Sequence, residues 1–534
     1  MSEVCQFRTR RWCMTSGMEL DAARCYRALL ARDARFDGRF FTAVRTTGIY
    51  CRPICPAPTP KAVNVTFFAC AAAAEAAGFR ACLRCRPQAA PGTPAWLGSA
   101  AVVSRALRLI GADALDDDDV EALAARVGLG GRQLRRLFAE HLGASPAQVA
   151  RARRVHFARA LVDDTDLPMA EVAFAAGFRS IRQFNHAMFM HFRESPRRLR
   201  ARRLKRDAAA SRAAGQRGLA HATRGPVVTP GRTRVELQPE VATPGLVVRL
   251  SYRPPFDWTG LLRFLARRAT PGVEVVERDV YRRTIGTPEA HGEIEVHHVP
   301  AERHLAMEIR LADHEDLIQV IERARRLFDL AADPLRIVGQ LRRRPELRAA
   351  VDARSGVRVP GAWDGFELAV RAVLGQQVTV AGATTLAGRL AATFGTPVTT
   401  ASAGLTQLFP PPDVLADADL GGIGIPRARA ATIRALAAAV VDGTLRLDTA
   451  LDLDDAIARL VAIPGIGEWT AHYIAMRALG EADAFPASDL GLRRALGNGA
   501  GPLAARDVQR MAEAWRPWRA YAAMHLWATL EEGR

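Results

Sequence analysis

The sequence predicts a multidomain, mainly α protein: a small cysteine-rich α/β domain, two helix-turn-helix units, a small antiparallel β-rich α+β subdomain, and an all-α core organised on a helical hairpin. Three observations carry this reading. All eight cysteines lie at or before Cys85, so one end of the chain is chemically unlike the rest. Helical periods joined by Gly turns recur around Gly130, Gly177 and Gly465. Between them, from Leu246, come short β-like runs such as L-V-V-R-L-S-Y and H-L-A-M-E-I-R-L. A length of 534 residues sets a prior of about three or four domains.

Each element can be justified in order. Residues 1–17 read as an unstructured leader, with Met18 as the expected start. Cys51 and Cys55 form C-x3-C, and Cys82 and Cys85 form C-x2-C. Two such pairs make a tetrahedral four-sulfur site, the usual arrangement for structural zinc. The first histidine is His141, so no imidazole competes here. Cys5, Cys13, Cys25 and Cys70 lack a partner at ligand spacing and read as ordinary thiols. Val120 to Phe138 and Met169 to Phe192 each read as helix, turn, helix, the second helices starting near Gly131 and Ser180. Arg132, Gln133, Arg135 and Arg136 lie on the first, and Arg182, Gln183 and Asn185 on the second; Arg, Gln and Asn are the side chains that read base edges. The first opens Gly130-Gly131 without a strong N-cap.

The net charge of +18 implies an anionic partner. Arg197 to Arg234 contains twelve Arg or Lys and one acid, Asp207, and reads mainly as a solvated linker. No apolar run approaches the ~20 residues of a membrane span, and no signal peptide is expected. After the β-like runs, helices are expected at Trp258–Arg268 and Asp316–Phe328. Late in the chain, I-P-G-I-G-E-W-T (Ile463–Thr470) is a tight turn between helices. Backbone N–H groups at such a helix start suit a phosphate. Asp489 follows 24 residues after Gly465. Gly421-Gly422-Ile423-Gly424 reads as a structural turn, and Trp515, Trp518 and Tyr521 as core.

The hairpin P-G-I-G with its downstream Asp resembles the helix-hairpin-helix DNA glycosylases of the AlkA type (DNA-3-methyladenine glycosylase II), over roughly Leu246 to the C-terminus. The resemblance implies that Pro464, Gly465, Ile466 and Gly467 grip the DNA backbone and that Asp489 is catalytic. It places Trp469, Tyr473 and Trp527 in the pocket for the flipped base, and Gln377, in the L-G-Q-Q turn, at the wedge that fills the vacated stack. Glycosylases that also cut the backbone use a lysine just past the hairpin glycines. Trp469 stands there, and no lysine follows Lys205, so a monofunctional enzyme using water is expected.

The stretch V-R-T-T-G-I-Y-C-R-P-I-C with G-F-R-A-C-L-R-C resembles the methyl-accepting domain of Ada-type repair regulators, over about Ala34 to Pro87. This implies one Zn2+ on Cys51, Cys55, Cys82 and Cys85, with Cys51 accepting a methyl group from a DNA phosphotriester. Arg45, Arg52, Arg84 and Arg86 could hold the backbone. The central helices resemble the AraC-type regulator domain, from which Met188, Phe189 and Met190 depart, since the family has basic residues there. The alkylguanine methyltransferase of full-length Ada-type proteins is excluded, because no cysteine follows Cys85.

The expected division is 18–97 zinc and methyl-acceptor domain, 98–206 double helix-turn-helix, 207–245 basic flexible linker, 246–335 β-rich subdomain and 336–534 glycosylase domain. The expected function is an alkylation sensor and regulator that also excises alkylated bases. The alternative is a regulator whose glycosylase fold only clamps DNA. Expected partners are double-stranded DNA, alkylated or at promoters, and RNA polymerase; a cytoplasmic monomer without membrane contact is expected.

Overall fold

A computed structural model describes residues 21–87, 90–91, 99–112, 120–205, 208, 245–447, 452–497 and 501–532, except single positions 288, 312 and 315. The expected leader and nearly all of the linker lie outside the described residues.

The first unit is a four-stranded sheet, ordered β3-β1-β2-β4: β1 Phe41–Val44, β2 Ile49–Cys51, β3 Val65–Phe68 and β4 Arg80–Ala81. Only the β2–β4 pairing is parallel. It brings the end of β2, which carries Cys51, beside the turn that follows β4 and carries Cys82 and Cys85.

The two helix-turn-helix units flank a long helix, Pro146–Asp164. Ser145 caps it: its hydroxyl accepts from Gln148 N while the Gln148 side chain accepts from Ser145 N, a reciprocal capping box. The first unit docks here through a half-buried knot. Glu75 accepts from Tyr50 Oη at 2.7 Å and contacts His156 Nε2 at 2.9 Å and His191 Nε2 at 3.3 Å.

The third unit is an antiparallel five-stranded sheet, ordered β5-β9-β8-β7-β6: β5 Leu246–Ser251, β6 Glu274–Glu277, β7 Val280–Gly286, β8 His291–Val299 and β9 His304–Leu311. On β5, Leu246, Val248 and Leu250 are buried while Val247 and Arg249 are exposed, the period-2 alternation of a one-sided sheet. The helices at Trp258–Ala266 and Leu317–Leu327 are slightly shorter than the sequence predicts. A buried ionic network fastens this sheet to the helical core: Arg283 to Glu367 at 2.8 Å, Arg371 to Glu274 at 2.8 Å, and Tyr281 Oη donating to Glu274 at 2.6 Å.

In the helical core, the hairpin is Leu453–Val461, a turn, then Glu468–Arg477. Leu460, Ile463, Ile466 and Ile474 bury into one cluster with Val370 and Ile433. Gly465 has φ +90°, and a Cβ there would come within 1.9 Å of Thr432 Oγ1, so glycine is required on two counts. Gly421–Ile423 is a single 3-10 turn ahead of helix Arg427–Val441. Trp515, Trp518 and Tyr521 are core, as the sequence predicts.

Among the described residues no helix is long and apolar enough to cross a membrane. The halves of the chain touch directly. Arg105 and Arg108, on helix Ser99–Ala112, pair with Glu481 just past the hairpin, and Arg153 pairs with Glu322. Arg253, fully buried, donates to the carbonyls of Asp37 and Pro91.

Candidate active site and DNA-binding surfaces

Asp489 caps the helix Leu490–Ala495, which accounts for its position. Its carboxylate is held by three donors. Trp469 Nε1 donates to Oδ2 at 3.0 Å; Trp527 Nε1 donates to Oδ1 at 2.9 Å; Leu492 N donates to Oδ1 at 2.9 Å. Trp469 lies 20 residues before Asp489 and Trp527 38 residues after it, so three helices converge to aim one carboxylate. The residues expected to form the base pocket are thus joined to the expected catalytic group. The two indoles present their edges to Asp489.

Tyr473 completes the cluster. It stacks on Trp469, with centroids 5.3 Å apart and planes 8° from parallel, and tilts against Trp527 at 6.4 Å. That spacing leaves no room for a base between Trp469 and Tyr473, so a ligand must use the outer aromatic faces. Burial would raise the Tyr473 phenol, but the guanidiniums of Arg477, Arg268 and Arg371 outweigh it and bring it down to about 8. Arg477 donates to the Tyr473 oxygen at 2.9 Å and is itself clamped by the carbonyls of Pro360 and Gly361.

The hairpin turn faces solvent at Pro464, Gly465 and Gly467. The Ile466 side chain is 3% exposed and belongs to the core, and its N–H donates to Ile463 O at 3.0 Å, so a phosphate is left the N–H groups of its neighbours. Gln377 sits at φ +55° on the exposed turn between helices Gly365–Leu374 and Val380–Phe394. Gln376, which no local pattern marks, ties that turn to the hairpin. Its Nε2 donates to Gly465 O at 2.9 Å and to Thr470 Oγ1 at 3.1 Å. No sequence spacing announces a contact across 89 residues.

At the other end, the sulfurs of Cys51, Cys55, Cys82 and Cys85 all lie within 4.8 Å of one another, Cys55 and Cys82 at 4.0 Å. A tetrahedron of Zn–S bonds near 2.3 Å places its sulfurs about 3.8 Å apart, so these four residues fit the ion. Taken over the whole residue, Cys51 is the least enclosed of the four. Arg52 departs from its expected role. It is 9% exposed, its guanidinium is paired with Asp37 and donates to Cys85 O, and its backbone N–H points at Cys85 Sγ. It braces the site and does not face DNA. Arg86 is likewise taken, by Asp163 and Asp164. Arg45 and Arg84 remain exposed.

On the helix-turn-helix units, Arg132, Gln133, Arg135 and Arg136 are exposed, as are Arg182 and Asn185. Gln183 is also exposed, but its Oε1 accepts from Arg179 N, folding the amide back over the helix start that Ser180 caps; it does not project as a base reader. Met188, by contrast, is buried, while Phe189 and Met190 are exposed.

A four-cysteine metal domain, two helix-turn-helix units and a hairpin glycosylase fold on one chain define a class: a DNA-directed regulator fused to a base-excision repair fold. Family models match in that order: the metal binding domain of Ada at 24–88, a helix-turn-helix domain at 123–202, the AlkA N-terminal domain at 247–364, and the HhH-GPD superfamily of base excision DNA repair proteins at 370–520. A probable bifunctional transcriptional activator/DNA repair enzyme AlkA of Mycobacterium tuberculosis is 45% identical over 96% of this chain and 97% of its own length. The DNA-3-methyladenine glycosylase 2 of Escherichia coli is 35% identical over 52% of this chain and 96% of its own. The bifunctional transcriptional activator/DNA repair enzyme Ada of the same bacterium is 41% identical over 24% of this chain and 36% of its own. The chain belongs to the family of bifunctional transcriptional activator/DNA repair enzymes of the AlkA type.

Proposed function

We propose that the C-terminal half excises alkylated bases of the 3-methyladenine type, by hydrolysis at Asp489, and that the N-terminal half accepts methyl groups from DNA phosphotriesters on Cys51 and regulates transcription. The observation that carries the first part is the three-donor clamp on Asp489 within a half-buried cluster of Trp469, Tyr473 and Trp527.

Removing a base breaks an N-glycosidic bond through a state with positive charge spread over the sugar ring. The backbone N–H groups at Gly465 and Gly467 hold a phosphate, and Gln377 fills the stack left by the flipped nucleotide. The extruded base, cationic when alkylated, stacks on the aromatic face of Trp469, Tyr473 and Trp527. Asp489, with both oxygens fixed, sets its negative charge against the sugar and directs water. Trp469 occupies the position where a Schiff-base lysine would stand, so the backbone is left uncut.

At Cys51, Sγ attacks the methyl carbon of a phosphotriester. An S–C bond forms, the C–O bond breaks, and the electron pair leaves on the phosphodiester oxygen. Bound zinc keeps the cysteines as thiolates. The product thioether carries no charge, so the site loses one negative charge and repels phosphate less. The proposed division is 18–97, 98–206, 207–245, 246–335 and 336–534, acting as a cytoplasmic monomer that engages promoter DNA and RNA polymerase.

The test is single-turnover release of 3-methyladenine from methylated duplex. Release by the intact protein that collapses in Asp489→Asn supports the reading. Normal DNA binding without release leaves the glycosylase fold as a clamp, and peptide mass at Cys51 then tests the remaining half.

A further inference from the structure

The two recognition helices match position by position. Gly131–Leu142 and Ile181–Phe192 are both twelve residues long. Each ends on a left-handed residue, Gly143 at φ 70° and Arg193 at φ 56°. Each is followed by Ser-Pro, at Ser145-Pro146 and Ser195-Pro196. Arg132 therefore corresponds to Arg182, Arg135 to Asn185, Arg136 to His186, and Ala139 to Phe189. These are i, i+3, i+4 and i+7, one exposed stripe on each helix.

The stripes carry different chemistry. The first presents three guanidiniums. The second keeps one guanidinium, Arg182, and presents Asn185 and His186 in place of the other two, with Ile181 one turn before Asn185 and Phe189 one turn after it, 43% and 51% exposed. Arg193, Arg197 and Arg198, all exposed, follow directly and match a phosphate backbone in charge. The major groove displays a single apolar group, the 5-methyl of thymine, and Asn pairs best with adenine. One helical turn of 5.4 Å spans roughly one to two base pairs at 3.4 Å each.

We propose that the second recognition helix reads an A·T-rich half-site, Asn185 on an adenine and Ile181 and Phe189 against the 5-methyl groups of thymines one or two pairs to either side, while Arg132 and Arg136 read guanines in the other half-site, Arg135 being held by Glu121 at 2.9 Å. The apolar departure at Phe189 is then a specificity determinant. It rests on the regulatory reading of the N-terminal half and is independent of the chemistry at Asp489.

The experiment uses the full-length, zinc-loaded chain in the Asp489→Asn background, so that no base is removed. Binding sites are selected from random duplex. The selected duplex is then remade with deoxyuridine at each thymine in turn, which deletes the methyl and leaves the base pair. We expect an A·T-rich half beside a G-containing half, and one or two positions where deoxyuridine weakens binding about fourfold each, the worth of one buried methyl. Phe189→Ala, checked for folding by its melting temperature, should bind the selected duplex and its deoxyuridine version at the thymine facing Phe189 alike, as weakly as the parent binds the latter. A parent indifferent to every thymine methyl overturns the proposal. So does Phe189→Ala that binds the selected site normally but fails to activate transcription, which would assign this apolar face to a protein partner.

Discussion

Replacing Trp469 by Phe should slow base excision far more than replacing Trp527 by Phe. The reason lies in how the Asp489 oxygens are served. Oδ1 accepts from both Trp527 Nε1 and Leu492 N, so Trp527→Phe leaves it one donor. Oδ2 accepts from Trp469 Nε1 alone among the described hydrogen bonds, so Trp469→Phe frees that oxygen and lets the carboxylate swing. Phe keeps a ring against Tyr473, so the change is confined largely to the lost donor. A hydrogen bond to a charged group is worth about 1.5–3 kcal/mol, and each 1.4 kcal/mol is tenfold, so Trp469→Phe is expected to lower the single-turnover rate about 10- to 100-fold. Trp527→Phe is expected to cost about tenfold or less, since its oxygen retains a partner. The assay is release of 3-methyladenine with enzyme in saturating excess, so that binding does not enter. Equal losses in the two variants, or a Trp469→Phe enzyme as fast as the parent, would refute the idea that carboxylate aim limits the reaction.

Three further outcomes follow from the same geometry. Gly465→Ala forces an L side chain to φ +90° and against Thr432, and should lower stability by about 1–3 kcal/mol, read as a fall in denaturation midpoint, with weaker duplex binding. Chelating zinc, or Cys55→Ser, should abolish amide-exchange protection across β1–β4 while the five-stranded sheet keeps its own. The Glu75 knot should make the docking of the zinc unit pH-dependent. Burial lowers His191, but Glu75 more than offsets this and raises it above 6.5; burial raises Glu75, but His156 and His191 hold it below 4.5. The His191 contribution is then complete below about pH 6.5 and fades as pH climbs through the folded value, while the Glu75 contribution is complete above about pH 4.5 and fades on acidification. Urea midpoints of the zinc-loaded chain should peak between the two, and His191→Gln should flatten the alkaline limb.

What the sequence made legible was local. The C-x3-C and C-x2-C pairs announce a four-thiolate site because ligand spacing is a short-range constraint, and P-G-I-G announces its turn because few residues tolerate that backbone. The helix-turn-helix starts are legible for the same reason. What stayed hidden was long-range and made of ordinary residues. Nothing near Arg52 tells that it folds back onto Asp37, and nothing near Gln183 alone tells that its amide turns toward Arg179. Ile466 reads as part of a DNA-gripping motif, but its side chain answers to the core beneath. The convergence of Trp469 and Trp527 on the two oxygens of Asp489 depends on three helices meeting, which no single stretch encodes.

The tie from Gln376 to Gly465 and Thr470 has a consequence for how such a protein would travel along DNA. On the proposed roles, it would couple the turn that grips the strand to the turn that fills the stack, and so hold steady the offset between the bound phosphate and the interrogated nucleotide. The pair would then act as a ruler of fixed length. A protein carrying such a ruler inspects bases in register, one per backbone step, and must let go of its phosphate before it can examine the next.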